Sequence, residues 1–115
     1  MDDCIFCKII RGEIPADKLY EDEHAIVIRD INPQAPFHFL AIPRKHYPGV
    51  HDIPPPLMGE VFGGVMNAYC KALEACGLVQ NGYRLVANSG EIAGQTVPHL
   101  HIHVLGGREL SWPPG

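Results

Sequence analysis

The stretch His99-Leu100-His101-Ile102-His103-Val104-Leu105 alternates imidazole and aliphatic side chains with a period of two. That period belongs to a β-strand, where successive side chains point to opposite faces. One face then carries three histidines and the other Leu100, Ile102 and Val104. The aliphatic face supplies core and holds the imidazole face rigid. Positions two apart lie about 6.6 Å apart along a strand, and the outer pair about 13 Å. Three histidines so spaced are poorly placed to share one metal ion, so they are expected to do different work. Neutral imidazole is both a nucleophile and a proton shuttle near pH 7. A row of three offers an attacking nitrogen flanked by groups that orient it or donate to an oxyanion.

The rest of the chain shows no internal repeat. Its 11 prolines and 12 glycines cut it into short elements, which favours strands joined by turns. Residues 5–10 begin a short helix that ends near Gly12 and Pro15. Residues 24–28 are rich in β-branched side chains and read as a buried strand. A turn over 32–36 separates it from a second strand over 37–42, giving a hairpin with a longer loop. Residues 44–56 form a turn-rich connection carrying His46 and His51.

Between 57 and 76 the period changes. Met58, Val61, Phe62, Val65, Tyr69, Leu73 and Cys76 recur at three-to-four spacing, the pattern of an amphipathic helix, with Gly77 as its stop. Gly63 and Gly64 each cost about 1 kcal/mol against Ala in a helix, and such residues mark close packing. Residues 83–87 read as a strand, 88–98 as a loop, and 99–105 as the last strand. The tail, 106–115, is extended. The sum is an α+β single domain over 1–115, an antiparallel sheet of about five strands with one long helix and a short N-terminal helix. Cys70 and Cys76 fall on the helix pattern and read as buried thiols. His24, His38 and His51 read as surface or strand histidines without a role.

Composition removes several function classes. A chain of 115 residues leaves no room for a second catalytic module. Its net charge of −4 gives no electrostatic footprint for duplex nucleic acid, so a small anion must be held by local donors. No apolar run approaches the roughly 20 residues of a membrane span. The opening Met1-Asp2-Asp3-Cys4 is acidic where a secretory signal is basic and then apolar. The 4 cysteines are too few for a disulfide scaffold, so a reducing, cytoplasmic location is expected.

Residues 99–105 resemble the signature of the histidine triad (HIT) superfamily, and the likeness extends over nearly the whole chain. It takes in Cys4-Ile5-Phe6-Cys7-Lys8-Ile9-Ile10, Asp30-Ile31-Asn32-Pro33-Gln34-Ala35-Pro36, Ile42-Pro43-Arg44-Lys45-His46 and Gly94-Gln95-Thr96. The endings Leu105-Gly106-Gly107-Arg108 and Trp112-Pro113-Pro114-Gly115 are similar to its Hint branch, the histidine triad nucleotide-binding proteins. The resemblance implies a HIT-like fold. It also implies a hydrolase that cleaves the P–N bond of purine nucleoside 5′-phosphoramidates through a nucleotidyl-histidine intermediate.

By that resemblance His101 is the nucleophile and His103 donates to a phosphate oxygen. Gln95, Thr96 and the amide near Gly94 complete the anion pocket, and Asn88 helps hold the ribose-phosphate. Asp30 accepts the ribose hydroxyls, work suited to an acceptor-only group. Ile31, Ile28, Phe6, Ile5, Ile9 and Ile14 form the apolar slot for the base. Read without the resemblance, Asp30 caps a turn and the isoleucines are ordinary core.

Cys4-x-x-Cys7 by itself is structural, redox or accidental. Some HIT proteins with such a pair bind zinc through it, and the matching ligands here are Cys4, Cys7, His46 and His99. Two thiolates and two imidazoles form a closed set, the pattern of structural rather than catalytic zinc. The resemblance further implies a two-fold homodimer whose sheets join, with Trp112 near the partner's site. Two other readings stand beside this one: a dinucleoside polyphosphate hydrolase, and a nucleotide-binding regulatory module with little turnover.

Overall fold

The computed structural model describes residues 3–115. Its elements are α1 (Ile5–Ile10), β1 (Lys18–Glu21), β2 (Ala25–Arg29), β3 (Phe37–Pro43), α2 (Met58–Cys76), β4 (Tyr83–Val86) and β5 (Ile102–Gly106). The strands form one antiparallel sheet in the order β1-β2-β3-β5-β4. This is the expected α+β architecture.

The side-chain period decides which face each residue serves. Ala25, Val27, Phe37, Phe39, Ala41, Ile102 and Val104 pack beneath α2, against Val65, Ala68, Tyr69, Ala72 and Leu73. Ile26, Ile28, Leu40 and Ile42 point the other way, against Phe6 and Ile9 of α1. Both faces of β2 and β3 are therefore covered, which is why their sequences run almost continuously apolar instead of alternating. α2 ends at Gly77, whose φ of 69° lies in the left-handed region open to glycine.

Several expectations need correction. β1 was not foreseen; it is short and half-exposed, so neither period nor hydrophobicity marks it. β5 begins at Ile102, not at residue 99. The Leu100 amide donates to the Tyr47 carbonyl at 2.7 Å and the His99 amide to that of Val97, which takes the chain out of the ladder there. Cys70 and Cys76 are exposed. Cys70 follows Tyr69 by one residue, a turn of about 100° around the helix, and so leaves the buried face. Cys76 keeps the register but is the last residue of the helix. Of the adjacent pair Gly63 and Gly64 in α2, only Gly64 is needed for close packing within the chain. A Cβ there would meet the His24 Cβ at 2.7 Å, whereas one on Gly63 would meet nothing within 4 Å.

Candidate functional site

β3 and β5 pair so that Leu40 faces His103 and His38 faces Leu105. With side chains alternating, His38 and His103 emerge as diagonal neighbours on the face away from α2. Their rings meet, with His38 Nε2 and His103 Nδ1 separated by 2.8 Å. The Gln34 amide donates to His38 Nδ1 at 3.1 Å, so that nitrogen carries a lone pair and Nε2 carries the hydrogen. His38 therefore donates to His103 Nδ1, which leaves the His103 proton on Nε2. Burial pushes His103 down to about 4, and also lowers His38 against the opposing pull of Asp30. His103 is thus a neutral N–H donor at physiological pH.

His38 was expected to be a surface or strand histidine without a role; the structure places it on β3, buried and hydrogen-bonded to His103. It is 6% exposed, and its Nε2 lies 3.4 Å from Asp30 Oδ2. Nothing local distinguishes a histidine in the run Phe37-His38-Phe39. The signal lies in the pairing of β3 with β5. Asp30, His38 and His103 stand close enough to suggest a metal site. The lone pair of His38 Nδ1 already accepts the Gln34 amide, so ligation through Nε2 would demand an imidazolate. The trio is a hydrogen-bond chain.

His101 has a different neighbour. Its Nδ1 lies 2.7 Å from the carbonyl oxygen of His99, to which it donates. The other nitrogen, Nε2, keeps its lone pair. The edge of the Phe6 ring packs against it at 5.0 Å between centroids, and His103 stands on its other side at 5.0 Å.

His101 and His103 line a cavity of about 640 Å³. Its wall is mostly apolar and includes Ile5, Phe6, Ile9, Ile14, Ile28 and Ile31, the whole expected slot, with Asp30 and Thr96 at its polar part. Asp30 serves two purposes, because its Oδ1 also accepts the Asn32 amide at 2.8 Å and caps the turn. Asn88, Gly94 and Gln95 lie outside the lining. The Gln95 amide instead staples its loop, donating to the carbonyls of Pro48 and Val97 and accepting from the Gly90 amide.

The first histidine of the row turns elsewhere. His99 is fully buried, and its Nε2 donates to the Pro43 carbonyl at 2.9 Å. Its Nδ1 lone pair faces Cys4 Sγ at 3.4 Å, Cys7 Sγ at 3.6 Å and His46 Nδ1 at 3.1 Å. Cys7 Sγ also lies 3.3 Å from His46 Nδ1. Tetrahedral bonds of about 2.3 Å to sulfur and about 2.0 Å to nitrogen place ligand atoms about 3.3–3.8 Å apart. These four separations fall within a few tenths of an ångström of that range, and all four ligand atoms lie within 4.8 Å of one another, so the set suits a small tetrahedral ion. Burial pushes His99 down to about 4, which keeps it in the neutral, ligating form. The Pro43 carbonyl fixes the tautomer, as outer partners of metal-bound histidines do. Burial raises the Cys7 thiol, so binding a cation there would displace a proton.

A five-stranded antiparallel sheet beside which His99 joins a cluster able to hold a metal ion, His101 keeps a free lone pair and His103 offers an N–H defines a class of protein. The chain belongs to the HIT domain family, which its residues 11–110 match. It is 47% identical to an uncharacterised HIT-like protein of Synechococcus elongatus, over 99% of this chain and 98% of that one. Among solved structures it is similar to a HIT family hydrolase from Legionella pneumophila, at 45% identity and a TM-score of 0.92, covering 98% of this chain and all of the other. A histidine triad protein from Clostridium difficile is similar at 43% identity and a TM-score of 0.90, with 96% of each chain covered.

Proposed function

We infer that the protein is a nucleotide-binding hydrolase that cleaves the P–N bond of purine nucleoside 5′-phosphoramidates. The observation that carries this is the unengaged Nε2 of His101 beside the N–H of His103, in a largely apolar cavity that also carries the Asp30 carboxylate. The base lies between Ile5, Phe6, Ile9, Ile14 and Ile28, and Asp30 accepts the ribose hydroxyls. Its carboxylate has about four acceptor sites, and Asn32 occupies one.

His101 Nε2 attacks the α-phosphorus and a P–N bond to the enzyme forms as the bond to the amine breaks. The leaving nitrogen departs with a proton from solvent. His103 Nε2–H donates to a non-bridging oxygen whose charge grows in the transition state. Water then attacks the same phosphorus, the enzyme–phosphorus bond breaks, and nucleoside monophosphate leaves with Nε2 restored. Cys4, Cys7, His46 and His99 would hold a structural zinc, and four protein ligands would leave it no part in the reaction. The likeness to the Legionella pneumophila hydrolase supports hydrolysis as the reaction type.

Turnover of adenosine 5′-phosphoramidate against diadenosine polyphosphates tests this reading. Fast release of AMP from the former is expected. Preference for the polyphosphates, or tight AMP binding with no turnover of either, would sink it.

A further inference from the structure

We propose that the Cys4–Cys7–His46–His99 centre and the cavity are coupled through α1, so that zinc occupancy sets nucleotide affinity. The proposal rests on reading the cavity as a nucleotide slot. α1 has 6 residues, far too few to be stable as an isolated helix. Cys4, its N-cap, and Cys7 turn toward the ligand cluster. Ile5, Phe6 and Ile9 turn toward the cavity and make up one of its walls. The metal centre and the slot are thus two sides of one and a half turns of helix.

Little else ties this helix down. Among the described residues, the backbone hydrogen bonds of α1 all close within residues 4–13. Among the described residues, the polar contacts of Cys4–Ile10 with the strands and loops beyond the helix are those of Cys4 and Cys7 with His46 and His99. What remains is the burial of Phe6 and Ile9 on Ile26, Ile28, Leu40 and Ile42. Phe6 also spans the two sites, its ring edge-on to the metal ligand His99 at 5.8 Å and to His101 at 5.0 Å.

With the ion bound, the wall is fixed before a nucleotide arrives. Without it, α1 is held by apolar contact and by weak thiol–imidazole contacts in place of metal bonds, and the ligand must order the wall as it binds. A ligand that meets a partly populated competent state binds more weakly by that fraction. Linkage makes the effect reciprocal, so nucleotide must tighten zinc by the same factor. The positions that do this are Cys4 and Cys7; a chain with the same slot and no cysteines there would lack the coupling.

The test is calorimetric titration of AMP into zinc-loaded protein and into protein freed of zinc by chelator under reductant. The reciprocal arm measures zinc transfer to a chelating dye with and without saturating AMP. AMP is expected to bind about ten-fold more weakly once zinc is gone, and to hold back zinc by a similar factor, within the usual range for coupled sites. Cys4→Ser/Cys7→Ser protein should bind AMP as the zinc-free form does, with zinc added or not. Should the variant fail to fold, the two wild-type arms still decide. Equal AMP affinity with and without zinc, or zinc transfer indifferent to AMP, overturns the coupling and leaves the hydrolase reading intact. No AMP binding by zinc-loaded protein overturns both. AMP binding without phosphoramidate turnover overturns the hydrolase alone.

Discussion

His38 Nε2 and His103 Nδ1 stand 2.8 Å apart, two rings brought together by a pairing between strands 65 residues distant in sequence. The contact gives His103 its tautomer and makes the proton on its far nitrogen available to a substrate. His38→Ala is expected to lower kcat for adenosine 5′-phosphoramidate by about 10- to 100-fold, the usual size of an outer-partner loss. AMP affinity should hold within a few-fold. His38→Gln, which keeps an N–H near the Nε2 position, should recover part of the rate. An alanine variant with undiminished kcat would remove His38 from the reaction.

His101→Ala deletes the proposed nucleophile and should reduce turnover by about 10³-fold or more. Asp30 and the apolar slot are untouched, so AMP should still bind. Single-turnover release of AMP checks this, and a variant retaining most of its rate would falsify the assignment.

Acid should destabilise the metal-free protein in a defined window. An unfolded imidazole takes its proton near 6.5, while buried His103 does so only near 4, and His38 is shifted the same way. Between those values the unfolded chain binds more protons, so stability falls as pH is lowered from about 6.5 to about 4. Urea midpoints at pH 7, 5.5 and 4.5 should decline in that order. A midpoint that holds or rises would mean that these rings are charged in the fold.

Metal analysis of protein purified without chelator should give about one zinc per chain, and Cys4→Ser/Cys7→Ser protein should carry almost none. The same content in both would place the metal elsewhere.

A dimer is the expected assembly. β4 is a sheet edge with Tyr83 and Leu85 exposed, and the Gly63 face of α2 is vacant within the chain. Arg84 holds the tail by the carbonyls of Leu110 and Ser111 at 3.0 Å, while Trp112 stays 81% exposed. Light scattering should report about twice the chain mass of 12.7 kDa, and Leu85→Lys, which charges the edge, should shift it toward monomer. A wild-type mass of one chain at micromolar concentration ends the proposal.

What could be read from the sequence follows from how local each signal is. The period of two in residues 99–105 correctly separates the core face, Leu100, Ile102 and Val104, from the imidazoles, although only its second half is strand. The helical period finds α2 within one residue at its start. β1 stayed hidden because only two of its four residues are even half-buried. His38 stayed hidden because its meaning depends on which strand lies beside β3. Asp30 was legible in both its uses, as turn cap and as cavity wall, because each needs the same carboxylate. The Gln95 staple was not, since its partners Pro48 and Gly90 come together only in the folded loop.

The two faces of the sheet are covered very unequally. One lies under the 19 residues of α2, and the other has the 6 of α1 beside an open hollow. Regarded as architecture, the second layer of this domain is unfinished, and a flat heteroaromatic guest is the piece of matching shape and polarity. On the proposed function, a nucleotide lodged between Phe6, Ile9 and Ile28 would serve the polypeptide as removable core. Ligand binding would then add packing to the thinner of the two layers, so it should raise the stability of the whole domain as well as fill the site.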